Sequence, residues 1–327
     1  MKFLVTGGAG FIGSHLCESL VQDGHSVVAI DDLSAGSLQN LEPLRGCSEF
    51  RFVRGSVLDQ STVEPLMREC DVVFHLAAVV GVLLVVKSPV QTLETNLKGT
   101  EVVLDLANEF GKRVLLASTS EVYGRHFENR PLKETDDRIY GPTTVGRWSY
   151  AAAKAIDEFL GLAYHRERGL HVTIARFFNT VGPRQTGRYG MVIPRFVEMA
   201  LGNQPITVFG DGNQSRSFTY VSDAVWAIRR LAETPEANGE IVNVGNGSEV
   251  TIHELARMIK ARTDPKSEIV FQTYEEAYGK DFEDMNFRNP DISKLHRLTG
   301  FEPKVELPEM LDRVIEHMRN PHEMPIR

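Results

Sequence analysis

Tyr150 and Lys154 stand four residues apart in Ser-Tyr-Ala-Ala-Ala-Lys, a spacing that puts both side chains on one helix face with only alanines between them. An ammonium beside a phenol favours the phenolate, and a phenolate can take the proton of an alcohol whose carbon gives up a hydride. The same lysine can hold a ribose hydroxyl. A second polar run, Ser118-Thr119-Ser120-Glu121, closes an apolar stretch. Thr119 is suited to relay the alcohol proton to Tyr150, and Glu121 to act as a base beside a carbonyl or to orient a water. Taken alone, Tyr-x-x-x-Lys is a common surface pairing and the serine-rich run an ordinary satisfied strand end. The residues that precede them turn both into candidates for chemistry.

Those residues are Met1 to Gly13, MKFLVTGGAGFIG, an apolar strand that breaks into a glycine turn and runs into a helix. Gly7 and Gly8 permit the turn, Gly10 lets the backbone approach a diphosphate, and Gly13 lets the helix pack closely. The free N–H groups and positive dipole end of that helix suit an anion. A second strand, Ser26–Ile30, ends in Asp31, and an acidic residue there suits the two hydroxyls of an adenosine ribose while repelling a 2′-phosphate. The expected cofactor is therefore NAD rather than NADP.

Short β-branched runs at Lys2–Thr6, Ser26–Ile30, Arg51–Arg54, Val72–Leu76, Arg113–Ser118 and His171–Arg176 alternate with amphipathic stretches at Gly13–Gln22, Ser61–Glu69, Val90–Phe110 and Tyr150–Glu167. Such alternation predicts an α/β fold, a Rossmann-type doubly wound parallel sheet whose ligands sit beyond the carboxyl ends of the strands. His75-Leu-Ala-Ala, Ser118-Thr-Ser-Glu and Phe177-Phe-Asn each fall at such an end. After about Thr180 the pattern loosens, which predicts a smaller substrate-capping domain. Glu240–Val244 reads as a strand returning to the main sheet, so the two units interleave: 1–179 and 221–262 for the NAD-binding domain, 180–220 and 263–327 for the cap.

Asn179 is a candidate to hydrogen-bond a phosphate or sugar. Arg184, Arg216 and Arg288 are candidates for a substrate diphosphate, given the forked geometry of arginine. His75 reads as a packed, hydrogen-bonded histidine under the cofactor. His253-Glu-Leu-Ala-Arg lacks the second histidine of a zinc helix, so no metal is expected. Lys+Arg 36 against Asp+Glu 44 gives a net charge of −8, which argues against a nucleic-acid partner. Cys17, Cys47 and Cys70 are odd in number and lack redox or metal spacing. The longest apolar run, Leu76 to Val86, is too short to span a bilayer, and the N-terminal apolar stretch has no cleavage region. A soluble, cytoplasmic protein is expected.

Read together, TGGAGFIGSH, DDLSAGSLQNL, HLAA, STSEVYG, YAAAK, RFFNTVGPR and GNQSRSFTYVSD resemble the extended short-chain dehydrogenase/reductase family, and within it the nucleotide-sugar epimerases, dehydratases and decarboxylases. The resemblance covers nearly the whole chain. It implies bound NAD held by Gly7, Gly10, Phe11, Ile12, Gly13, Asp31, Asp32, Ser56, Val57, Leu76, Ala77, Ala78, Asn96, Ser118, Tyr150 and Lys154. Ser56 stands where the family has an aspartate for the adenine, which leaves the contact to the Val57 backbone. The resemblance implies oxidation of a sugar at C4, chemistry beside the ketone, and hydride return. It further implies a catalytic set of Tyr150, Lys154, Thr119, Ser120, Glu121 and Arg216, a substrate set of Asn179, Arg184, Val192, Arg195, Arg216 and Arg288, and a homodimer built on the helix of Tyr150. Glu121, Ser217 after Arg216, and the C-terminal FRNPDISKLHRLTGFEPKV resemble UDP-glucuronate decarboxylases, which implies UDP-glucuronate decarboxylation to UDP-xylose, with Arg216 or Glu121 helping to reprotonate C5. A UDP-hexose or UDP-hexuronate 4-epimerase, a 4,6-dehydratase and a non-catalytic NAD sensor are the alternatives. Val85, in the apolar Gly81–Lys87 loop, stands where the decarboxylases carry a tyrosine near the sugar.

Overall fold

The structure is a computed structural model that describes residues 1–81, 88–187, 190–263, 266–278, 285 and 287–320. Val85 lies outside the described residues. Strands β1 (Lys2–Thr6), β2 (Ser26–Asp31), β3 (Phe50–Arg54), β4 (Val72–His75), β5 (Arg113–Thr119), β6 (Val172–Phe177) and β7 (Ile241–Val244) pair in parallel in the order β3-β2-β1-β4-β5-β6-β7. The reversal of strand order beside β1 is the Rossmann switch point, where a crevice opens at the carboxyl ends.

Alternation along each strand divides the core in two. Phe3, Val5, Phe74, Leu115 and Ala175 face helices α1 (Phe11–Gln22) and, further along the chain, Val221–Glu233. Leu4, Val73, Val114, Leu116 and Ile174 face α2 (Gln60–Glu69) and α3 (Pro89–Glu109). Helix α4 (Ser149–Arg168), which carries Tyr150 and Lys154, packs beside α3 and against β5 and β6.

An ion network pins α4 to the sheet. Glu158 accepts two bonds from Arg176 of β6, Nε to Oε1 and Nη2 to Oε2, both at 2.8 Å. Ser118 of β5 donates to Oε1 at 2.5 Å and Arg138 to Oε2 at 2.6 Å. Both side chains of the Arg176–Glu158 pair are 1% exposed. Burial alone would push the Glu158 carboxyl up; the bonds from Arg176, with Ser118 and Arg138, outweigh it and hold the group below its ordinary range.

The smaller unit contains α5 (Val192–Leu201) and the strand pair Ile206–Phe209 with Ile269–Gln272. Helix α6 is Val221–Glu233, and β7 follows it in the main sheet. Glu249–Thr251 pairs antiparallel with Ser215–Ser217, and α7 (Ile252–Thr263) packs on α5. Leu255, Ala256 and Ile259 bury in one cluster with Phe196, Val197 and Ala200, a cluster that also holds Phe3, Val5 and Phe74 of the main sheet. Helix α8 (Leu307–Arg319) closes the cap over α5 and α7. No helix among the described residues is long and apolar enough to cross a membrane.

Arg176→Met leaves Glu158 buried without its bidentate partner. It should lower the unfolding free energy by about 3 kcal/mol, read as a lower urea midpoint at unchanged slope.

Candidate active site

The crevice begins where β1 ends. Gly7 adopts φ +70°, and a Cβ there would meet the Ala77 backbone nitrogen at 2.8 Å. A Cβ at Gly13 would overlap the Gly7 carbonyl, so the first turn of α1 packs directly on the glycine turn. Gly10 precedes α1 in extended conformation and supplies no side-chain cap, which leaves the helix N-terminus available to an anion. Asp31 ends β2 with Oδ2 accepting from Ala9 N at 3.0 Å and Oδ1 from Leu33 N at 2.8 Å. Its burial raises the carboxyl above the ordinary value, opposed by those backbone N–H groups.

The cavity has a volume of about 400 Å³. Gly7, Gly10, Phe11, Ile12, Gly13, Asp31, Asp32, Ser56, Val57, Leu76, Ala77 and Ala78 line it, and it continues past Ser118, Thr119, Glu121, Tyr150, Lys154, Asn179, Arg184, Val192 and Arg288. A turn that a Cβ would fill, an uncapped helix end and a carboxylate at the end of β2 fit a dinucleotide with a free ribose diol; Asp31 and Asp32 disfavour a 2′-phosphate.

Tyr150 is buried, and its phenol is pushed upward by burial first and by the Glu121 charge second, while a hydrogen bond with Thr119 draws it down. Lys154 donates from Nζ to Asp157 Oδ2 at 2.8 Å, with both side chains almost wholly buried. The ammonium's charge is thus offset by a carboxylate, and the simple Lys154–Tyr150 attraction expected from the spacing is correspondingly weakened. Glu121 sits between two arginines: Arg147 Nη1 donates to Oε2 at 2.5 Å and Arg288 Nη1 to Oε1 at 3.4 Å. His75 is buried, with Nδ1 2.8 Å from Thr6 Oγ1 and Nε2 3.3 Å from Thr100 Oγ1. Among the described residues no cluster of three or more His, Cys, Asp and Glu side chains forms a metal site.

The sequence profile of the GDP-mannose 4,6 dehydratase family matches residues 4–314. The chain belongs to this family. A UDP-N-acetyl-alpha-D-glucosaminuronate decarboxylase of Bacillus cytotoxicus is 44% identical over 319 residues, 97% of this chain and 98% of its own. UDP-glucuronic acid decarboxylase 1 of Arabidopsis thaliana is 40% identical over 321 residues, 98% of this chain and 70% of its own. Among solved structures, the UDP-glucuronic acid 4-epimerase of Bacillus cereus, in complex with UDP-glucuronic acid and NAD, superposes with a TM-score of 0.89 at 29% identity, over 98% of this chain and 100% of that one.

Four residues singled out from the sequence of this family member do not line the cavity. Ser120 is buried in the turn Ser120–Tyr123, and its Oγ finds no partner among the described residues. Asn96 instead brackets Val79, accepting from its N at 2.8 Å and donating to its O at 3.3 Å, which ties the loop after β4 to α3. Arg195 donates to Thr207 O at 3.0 Å and lies 4.0 Å over the Phe209 ring. Arg216 is buried in the strand Ser215–Ser217, where Nη1 donates to Ser215 O at 2.7 Å. Arg184 does line the cavity, yet its Nη2 is held by Glu18 at 2.5 Å. Arg288 reaches both Glu121 and Asn179 Oδ1.

Arg147 is the residue that sequence reasoning missed. It occupies the short turn Gly146–Trp148 just ahead of α4, with its side chain 3% exposed. Its position three residues before Tyr150 was the available signal. Because a charge-assisted bond fixes the carboxylate, Arg147→Met should lower kcat at least tenfold while the purified protein keeps its bound NAD, measured by turnover and by nucleotide release on denaturation.

Proposed function

We propose that this chain is an NAD-dependent UDP-hexuronate decarboxylase, with UDP-glucuronate to UDP-xylose as its reaction. The observation that carries this reading is the Glu121 carboxylate fixed by Arg147 and Arg288 in the cavity that also holds Tyr150 and Thr119. A rotating 4-keto sugar needs only the tyrosine, lysine and threonine. Chemistry at C5 needs an additional acid, base or cation, and the arginine-bound glutamate supplies one.

Bound at the glycine turn and Asp31, NAD would accept a hydride from C4 and return it. Tyr150 takes the proton of the 4-hydroxyl, with Thr119 hydrogen-bonded to the phenol. The substrate is then a β-keto acid. Its C5–C6 bond breaks, the electron pair moves toward the C4 oxygen, and CO2 leaves. Arg288 and Arg147 favour negative charge in this part of the cavity, and a solvent proton reaches C5 through a water oriented by the Glu121 carboxylate. Arg216, buried against Ser215, leaves that role to Glu121 and Arg288.

Two related readings have support. The 44% identity to a UDP-N-acetyl-alpha-D-glucosaminuronate decarboxylase favours the same reaction on a substrate with an acetamido group at C2. The likeness to a UDP-glucuronic acid 4-epimerase favours inversion at C4 without loss of mass. Incubating the protein with each UDP-hexuronate, without added NAD, separates the three by product mass. Loss of CO2 from UDP-glucuronate supports the proposal, loss from the acetamido substrate alone selects the second reading, and an isomer of unchanged mass selects the epimerase. Tyr150→Phe should retain NAD and lose turnover by about 10²-fold or more. Glu121→Gln should abolish decarboxylation, whereas an epimerase would tolerate it.

We also infer a cytoplasmic homodimer. Ile156 and Phe159, three apart on α4, are 52% and 63% exposed, an apolar face that suits a second copy. The three cysteines are free, as in a reducing compartment. Phe159→Glu should convert a dimer to monomer by light scattering; an unchanged mass would reject this interface.

A further inference from the structure

Lys154 is 3% exposed at its side chain, and an ammonium so buried is costly without a partner. The partner is Asp157, one helical turn on, itself 1% exposed. This carboxylate is not isolated. Thr100 of α3 favours its charged form, and the Thr100 hydroxyl meets His75 Nε2 at 3.3 Å. On the far side of the ring, His75 Nδ1 lies 2.8 Å from Thr6 Oγ1, which accepts from Ala77 N at 3.1 Å.

Thr6 accepts from the Ala77 amide, and its hydroxyl shares a proton with His75 Nδ1. Lys154 donates to the Asp157 carboxylate from the cavity side. The imidazole is neutral, its pKa pushed down to about 3 by burial and then by the Lys154 charge. Burial raises the Asp157 carboxyl above its ordinary value, and the Lys154 ammonium opposes that rise.

We propose that Asp157 is a positioning residue of the Tyr150–Lys154 pair: it holds the Lys154 ammonium in place from within the core and offsets its charge. The proposal rests on the reading of Tyr150 as the base in hydride chemistry. The charged groups facing the phenol are Glu121 after β5, Arg288 from the C-terminal segment, and Lys154 and Asp157 from its own helix. Those around the Lys154–Asp157 pair are neutral His75 from β4 and Glu158 from α4, the latter already neutralised by Arg176. Asp157 is among the groups that raise the Tyr150 phenol, and Arg288 among those that lower it.

Asp157→Asn keeps the shape and removes the charge. Seven residues along a helix is roughly 10 Å, and a unit charge at that distance shifts a pKa by about one unit at an effective dielectric of about 20. A phenolate base must be deprotonated, so loss of the carboxylate should move the acid limb of the kcat profile to lower pH by about that amount. The same shift should appear without turnover, in the ultraviolet phenolate absorbance of the NAD-bound protein titrated against the matching Tyr150→Phe background. Asp157→Leu, which also removes the charge, should show the same displacement. Both variants titrating at the wild-type pH would overturn the proposal, even if kcat fell. A wild-type protein whose Tyr150→Phe form turned over normally would instead overturn the underlying reading of the base.

Discussion

Charge buried at the carboxyl end of a parallel sheet has to be paired, and in this protein the pairing is what aims the reactive helix. Two consecutive acidic residues on α4 share the task. Glu158 faces inward to Arg176, Ser118 and Arg138, and so ties the helix to β5 and β6. Asp157 turns to Lys154, and next to this pair Thr100, His75 and Thr6 contact one another. A buried ion pair contributes little net stability over an apolar contact, but it tolerates little change in geometry once formed. Register along α4 is thereby fixed to within a hydrogen bond, and with it the placement of Tyr150.

The opposite wall of the crevice follows a different logic. There the constraint is steric: no side chain fits at Gly7 or Gly13, because the loop after β4 and the glycine turn itself already occupy the space. Backbone amides and a helix end present a preorganised positive field, and Asp31 is held to the turn by Ala9 and Leu33. The two walls meet at the switch point of the sheet, beyond the carboxyl ends of its strands.

Much of this was legible in the chain. The glycine turn, Asp31 and the Tyr150–Lys154 spacing are local patterns, and locally dictated geometry survives folding. Interactions that join distant segments were not. Arg147 reads as one more surface arginine until its turn brings it to Glu121, and Arg176 reads as a strand residue until Glu158 meets it from the neighbouring helix. Asp157 was overlooked for the opposite reason, because an acid three residues from a lysine is an ordinary helix-surface pair and only burial makes it more. Arg216 carried weight as a motif residue, yet its strand pairs with Glu249–Thr251 and keeps it out of the cavity. Periodicity likewise reveals a helix at Ile252–Thr263 but not the layer on which it packs.

The central claim is that hydride leaves and returns to the same carbon while a solvent proton enters its neighbour. Proton NMR of the product formed from UDP-glucuronate in D2O tests it in one spectrum. The account predicts a UDP-pentose with one deuterium at C5 and undiminished protium at C4. Deuterium at C4, or a product without deuterium at C5, would contradict it.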